Sequence, residues 1–283
     1  VSAANSLVGS TAGDSVGSGG IFPLSNGNFI VSSPVADNGE LVDAGLVHVV
    51  TIGGAPASGQ TFGSNAAATV TITPDAITGI TNTGTAVTLQ ANNDITLNPA
   101  SDVVTSAGGN GGAITLEAGR SILLNSSITT DNGDLIITAN HPAADATNRD
   151  AGPGGITIAP GTTLNAGTGN ATLTVDVGVA GATSGDLVVG NIVAVNVVLQ
   201  QNGTTNGSSI LRAAASSLIQ ATNLFMQVNG GSATGGSIGT EANPILTSGV
   251  TSLVTNVNGA GETAVSNTNG VPGPTLAVQR MRS

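Results

Sequence analysis

The stretch TAVTLQANNDITLN (Thr85 to Asn98) returns as GAITLEAGRSILLN (Gly112 to Asn125) and, in part, as GDLIITAN (Gly133 to Asn140). Val87 and Leu89 map onto Ile114 and Leu116, 27 positions on, and Ile114 maps onto Leu135, 21 positions on. Periods of this length mark a repeat architecture in which each unit buries its apolar face against the next.

Composition selects the kind of repeat. Aliphatic residues occupy alternate positions, as in Val87 and Leu89, Ile95 and Leu97, Ile114 and Leu116, Ile122 and Leu124, and Leu135 and Ile137. That is the period of a strand, with one face inward and one outward. Between these pairs lie Asn-Asn-Asp, Gly-Gly-Asn-Gly-Gly and Asp-Asn-Gly, which supply the positive φ angles and side-chain-to-backbone hydrogen bonds of tight corners. A helical solenoid needs long runs of Ala, Leu, Glu and Lys, and the chain has no Lys. The expected fold is all-β: a parallel β-solenoid, a β-helix of right-handed sense, with a small N-terminal β-meander.

The 283 residues include 42 Gly and only four Phe, with no Tyr or Trp, so the core must be built from Val, Ile, Leu and Ala. Stacked coils suit this, because like residues meet along the axis at about 4.8 Å in ladders of branched aliphatics. With 16 acidic residues against five Arg, the net charge of −11 is the reverse of a nucleic-acid footprint, and it disfavours anionic membrane surfaces. The absence of Cys excludes a disulfide or zinc–thiolate framework. No window approaches 18 uninterrupted apolar residues, so no membrane insertion is expected.

Three regions differ in texture. Residues 1–65 alternate short strands with Gly- and Asn-rich turns and hold Phe22, Phe29 and Phe62, which suggests a β-rich unit with its own core. Residues 66–255 read as solenoid, opened by a strand at ATVTITP (Ala68 to Pro74). Residues 256–283 lose the period and read as a cap, linker or assembly arm. Within the solenoid, SILRAAASSLIQATNLFM (Ser209 to Met226) fits a helix or three short strands, and strands keep the coil spacing. HPAADATNRDAGP (His141 to Pro153) adds a loop where a coil should turn, and loops on rigid scaffolds carry function.

The runs TITPDAITGITNTGTAVTLQANNDITLN, GGAITLEAGRSILLNSSITTDNGDLIITAN, GITIAPGTTLNAGTGNATL and GSIGTEANPI resemble the repeat region of giant bacterial exoproteins of the filamentous-haemagglutinin type. The N-terminal segment NSLVGSTAGDSVGSGG…LSNGNFIVSSPVADNG…DAG resembles repeat units of uncharacterised role that precede such regions. The resemblance implies a β-helical stalk exported by two-partner secretion, secreted or held at the bacterial cell surface, with an adhesive role. The NPNGI-type signature of the family's secretion domain has no counterpart here beyond Asn243-Pro244-Ile245, so an internal shaft portion is expected.

Candidate chemistry is thin. A β-helical polysaccharide lyase needs clustered acids to hold Ca²⁺ and a basic residue as proton acceptor. The acids here are scattered, and Arg120 has no evident acidic cluster opposite it. The best local grouping is His141, Asp145, Arg149 and Asp150 on the inserted loop, a candidate recognition element that also reads as a solvated loop with a surface ion pair. Asp-Asn-Gly at Asp37 and Asp131 is half of a Ca²⁺ loop at most and a common β-turn otherwise. His48 and His141 lack neighbouring ligands. Four N-x-[ST] sequons, at Asn125, Asn170, Asn202 and Asn206, are acceptors for glycans in an exported chain and equally what an Asn-, Ser- and Thr-rich sequence yields by chance.

No catalytic residue, metal site or cofactor is therefore expected. The leading expectation is a non-enzymatic structural or adhesive segment of a fibrous exoprotein. Its partners would be other copies, neighbouring repeats of a longer chain, or host-surface and matrix glycans. The alternatives are a self-assembling subunit of an extracellular filament or sheath and, more weakly, a polysaccharide lyase or hydrolase.

Overall fold

The computed structural model describes residues 15–16, 18–23, 29–35, 46–50, 60–64, 66–203, 207–229 and 235–267. The chain divides into two compact units, Val1–Pro56 and Ala57–Ser283.

The first unit contains β1 (Gly20–Pro23), β2 (Phe29–Ser33) and β3 (Leu46–Val50), paired antiparallel in the order β1-β2-β3. This is the expected meander. Phe62 does not join it: its ring lies 5.2 Å from that of His141 in the second unit.

The second unit is a parallel β-solenoid. It opens with a helix, α1 (Pro74–Thr81), where the sequence pattern suggests a strand entering at Ala68. Thr73 caps the helix by accepting from the Ala76 N–H, Pro74 takes the first turn where its missing N–H costs nothing, and Asp75 faces the helix dipole. These local signals outweigh the alternation in Ala68 to Pro74. The helix buries Ile77 and Thr81 against the first coil.

Each coil then contributes one strand to each of three faces. The first coil is β4 (Val87–Ala91), β5 (Ile95–Leu97) and β6 (Val103–Val104); the second is β7 (Ile114–Ala118), β8 (Ile122–Leu124) and β9 (Ile128–Thr129). The third is β10 (Leu135–Ala139), β11 (Pro153–Ile158) and β12 (Thr163–Asn165); the fourth is β13 (Asn170–Val175), β14 (Thr183–Val189) and β15 (Asn191–Val193). The fifth is β16 (Asn196–Gln201), β17 (Ile210–Arg212) and β18 (Ile219–Gln220), so Ser209 to Met226 is strand. The sixth has β19 (Asn223–Val228) and β20 (Ile245–Ser248), the seventh β21 (Ser252–Val257) and β22 (Val265–Asn267). Ile238 and Thr263 extend the second face as single bridges. The first and third faces are thus seven-stranded, and the third continues to Asn267, past the point where periodicity fades in the sequence.

The core is a set of axial ladders. Val87, Ile114 and Leu135 stack in register, as do Leu89, Leu116 and Ile137, and all six are buried. Ile122 and Leu124 are fully buried above Ile95 and Leu97, which end their ladders on the first coil and are only partly covered. Each fully buried aliphatic of this kind contributes roughly 1.5 to 3 kcal/mol relative to exposure. Polar rungs interrupt the aliphatic ladders: Gln201 sits fully buried between Val175 and Val228, and Thr247 and Thr255 are buried in register with Ile219 and Met226.

Two ends of the first coil are covered. The helix packs on β6 and β4, and Gln60 bridges to Leu89 so that its carbonyl accepts from the Gln90 N–H at 3.0 Å. Beside β5 a cleft of about 310 Å³ remains, floored by Leu89, Ile95 and Leu97 and rimmed by Asn93 and Asn148.

Candidate functional site

The longest corner joins β10 to β11 and contains the inserted loop. Leu135 and Ala171 stay in register although 36 positions separate them, so the extra length leaves the ladder untouched.

The loop starts at Asn140, a buried residue at φ +55, a backbone region Asn tolerates better than most. Its N–H donates to the Arg120 carbonyl (2.8 Å), its Nδ2 donates to the Asp176 carbonyl (2.8 Å), and its Oδ1 accepts from Arg149 Nη2 (3.0 Å). It therefore fastens three successive coils. Arg149 also donates from Nε to the Gly119 carbonyl (2.6 Å), from Nη1 to the Asp150 carbonyl (2.9 Å) and from Nη2 to the Gly152 carbonyl (3.0 Å). Gly119 has no room for more: a Cβ there would lie 2.1 Å from the Asn92 carbonyl oxygen.

The loop folds back onto the corner of the first coil. The Asp145 N–H donates to Asn92 Oδ1 (2.9 Å), and Asn93 Nδ2 donates to Asp150 Oδ2 (2.5 Å). Asp145 accepts from the Thr147 N–H and hydroxyl and from Asn148 Nδ2, and these bonds hold its exposed carboxyl below the usual carboxylate range. His141 accepts at Nδ1 from the Ala143 N–H, and its Nε2 stands 3.8 Å from Glu117 Oε1.

Between these contacts lies an ion pair that sequence reading missed. Arg120 grips Asp94 with two parallel bonds, Nε to Oδ1 at 2.8 Å and Nη2 to Oδ2 at 2.5 Å, and donates from Nη1 to the Ala151 carbonyl. Burial alone would raise the Asp94 pKa; hydrogen bonds from Arg120 and the Ser121 N–H, with the charges of Arg120 and Arg149, bring it below its ordinary value. The bond to Asp94 raises the Arg120 pKa in turn, whereas burial and the neighbouring Arg120 charge lower that of Arg149.

The four loop residues singled out in the sequence thus come together on one corner, but not as an Arg149 ion pair. Arg149 binds carbonyl and amide oxygens, and Asp150 lies 3.9 Å from Arg120 instead. Asp94 precedes Ser121 by one 27-residue period, which is the sequence signal that places it beside Arg120. Asn92, Asn93 and Asn140 gave none.

Elsewhere, the acids of the Asp131–Asp134 turn are engaged by neighbouring coils: Asp131 accepts from the Gly109 N–H and Asp134 from the N–H and Nδ2 of Asn170. Among the described residues no three His, Cys, Asp or Glu side chains converge as a metal site. The Asp37 turn and the His48 side chain lie outside the described residues. Of the sequons, Asn125 is exposed at a corner, Asn170 and Asn202 accept amide hydrogen bonds from the next coil, and Asn206 lies outside the described residues. No helix among the described residues is long and apolar enough to cross a membrane.

Fold and corner together define a parallel β-solenoid with an elaborated loop at its third coil. Residues 1–18 and 23–66 are similar to a repeat of unknown function, DUF5650, a match that covers the first unit and the entry into the solenoid. Searches among curated proteins and among solved structures find no match.

Proposed function

We propose that this chain is a non-enzymatic structural and adhesive segment of a secreted or cell-surface fibrous exoprotein, in which a stiff β-helical stack presents the His141–Gly152 loop. The supporting observation is the contrast between core and corner. The first-face ladder keeps register through seven strands while the corner from Asn140 to Gly152 takes up extra chain, braced by Arg149, Asn140 and the Arg120–Asp94 pair. Such bracing favours a surface held in one shape, which lowers the ordering cost of recognition. Neighbouring repeats of a longer chain and host-surface or matrix glycans are the partners this reading names.

The filament reading has less support, because α1 and Gln60 lie over two of the three strand edges that end-to-end stacking would use at this end. The lyase reading has less as well, because a doubly bonded Arg120 with a raised pKa is a poor proton acceptor.

The test is made on producing cells. Antibody raised against the His141–Gly152 loop is expected to stain intact cells, and deletion of the solenoid from the parent protein is expected to reduce adhesion to host cells or matrix several-fold. Absence of surface staining together with unchanged adhesion would overturn the proposal.

A further inference from the structure

The outward side of the first face changes character along the stack. On the first three coils it carries Glu117 and Asp134. On the last four strands, NATLTV, NVVLQQ, NLFMQV and SLVTNV, no side chain is charged.

Two amide ladders border this neutral area. At the strand starts, Asn223 Nδ2 donates to Asn196 Oδ1 and Asn196 Nδ2 to Asn170 Oδ1, both at 2.6 Å. Just past the strand ends, Asn258 Nδ2 donates to Asn229 Oδ1 (2.5 Å) and Asn229 Nδ2 to Asn202 Oδ1 (3.3 Å). Each ladder amide keeps a second N–H, and each keeps a second lone pair except Asn229, whose Oδ1 also accepts from Gln227 Nε2 at 3.0 Å. Between the ladders run two further columns. One is apolar, with Val198, Phe225 and Val254 in register and Val254 51% exposed. The other is amide, with Gln200, Gln227 and Asn256 in register.

We infer that this face binds a neutral, hydroxyl-rich polysaccharide laid along the stacking axis. The Val198–Phe225–Val254 ridge offers a strip one residue wide to the C–H faces of sugar rings, and the amide columns on either side meet the ring hydroxyls. Rungs repeat at about 4.8 Å, so equivalent donors recur regularly along the polymer. The ladder bonds hold the bordering amides in place before the ligand arrives, which removes rotamer entropy from the cost of binding. Charge selects the occupant. A net charge of −11 opposes both a second copy of the chain and an acidic polymer, while a neutral glycan meets no such repulsion. The inference rests on the adhesive reading but concerns a different surface from the loop.

The experiment measures binding of the purified chain to neutral β-glucan, xylan and mannan, with polygalacturonate as the acidic comparator, by polysaccharide pull-down and titration with soluble oligosaccharides. Phe225→Ala at the half-buried centre of the ridge and, separately, Val254→Asn at its exposed end are expected to weaken binding at least tenfold with unchanged circular dichroism. A variant with residues 142–151 replaced by a short turn is expected to bind as the parent does. No binding to any neutral polymer, equal binding by both ridge variants, or a dimer in light scattering that Phe225→Ala dissolves would overturn it. Those outcomes leave cell-surface staining and adhesion by the producing cells unaffected, so the two proposals fail separately.

Discussion

At the scale of single residues, the ladder sets what each position tolerates. Leu199 is fully buried between Leu173 and Met226, and Leu199→Ala removes contacts that a stacked neighbour cannot replace. A loss of about 2 to 5 kcal/mol is expected in denaturant titration. Two positions along, Gln201 donates from Nε2 to the Gly185 carbonyl, and among the described residues its buried Oε1 has no hydrogen-bond partner. Such an acceptor costs on the order of 1 to 3 kcal/mol. Gln201→Leu, which restores an aliphatic rung, should therefore raise the melting midpoint; a fall would mean that the amide is satisfied by water or that Leu is misshapen for the rung. The aliphatic rungs were legible in the sequence because alternation is a direct image of the pleat. Gln201 was not, because a single polar residue in an alternating run reads equally well with its neighbours turned outward.

At the scale of elements, the inserted corner and the helix follow different rules from the strands. The corner depends on Asp94 remaining ionised. Its folded pKa is depressed, so the stability it contributes is present above its unfolded pKa, about 3.9, and is lost as pH falls through the lower folded value. Protection of residues 141–152 against hydrogen exchange, taken relative to the intrinsic rate at each pH, should fall as the solution is taken below about pH 4, and Asp94→Asn should make that fall shallower. An Asp94→Asn chain with the parent's full pH dependence would assign the effect elsewhere. The loop's existence was visible as a break in the period, but its partners lie on the coils before it and, for Asn140, on the coil after, at sequence distances of up to 57 residues. Only the repeat offset could have linked them, and the 27-residue step does so for Asp94 alone. The helix is the reverse case. Thr73-Pro74-Asp75 is a helix start in plain view, overlooked because the alternating residues just before it continue the strand pattern.

At the scale of the whole molecule, the solenoid unit is capped over its first coil. The helix buries Ile77 against the first coil. Ile77→Asp should lift it and uncover the strand edges beneath, giving larger concentration-dependent oligomers in light scattering than the parent forms; a variant with an intact fold and the parent's scattering would show that the cap does not guard the end.

The inserted corner also has a mechanical consequence. Tension applied along the stacking axis loads the hydrogen bonds between coils, and a stack held this way yields one coil at a time. An extended residue spans at most about 3.3 to 3.6 Å, so a coil of 27 residues releases about 90 Å of chain and the 36-residue coil about 120 Å. Released alone, the coil that carries the loop would give the longest single-coil step. Because Asn92, Asn93 and Arg120 tie that loop to the two coils before it, those three should give way together. The brace that shapes the loop would then serve as a mechanical clamp on the part of the stack nearest the helix.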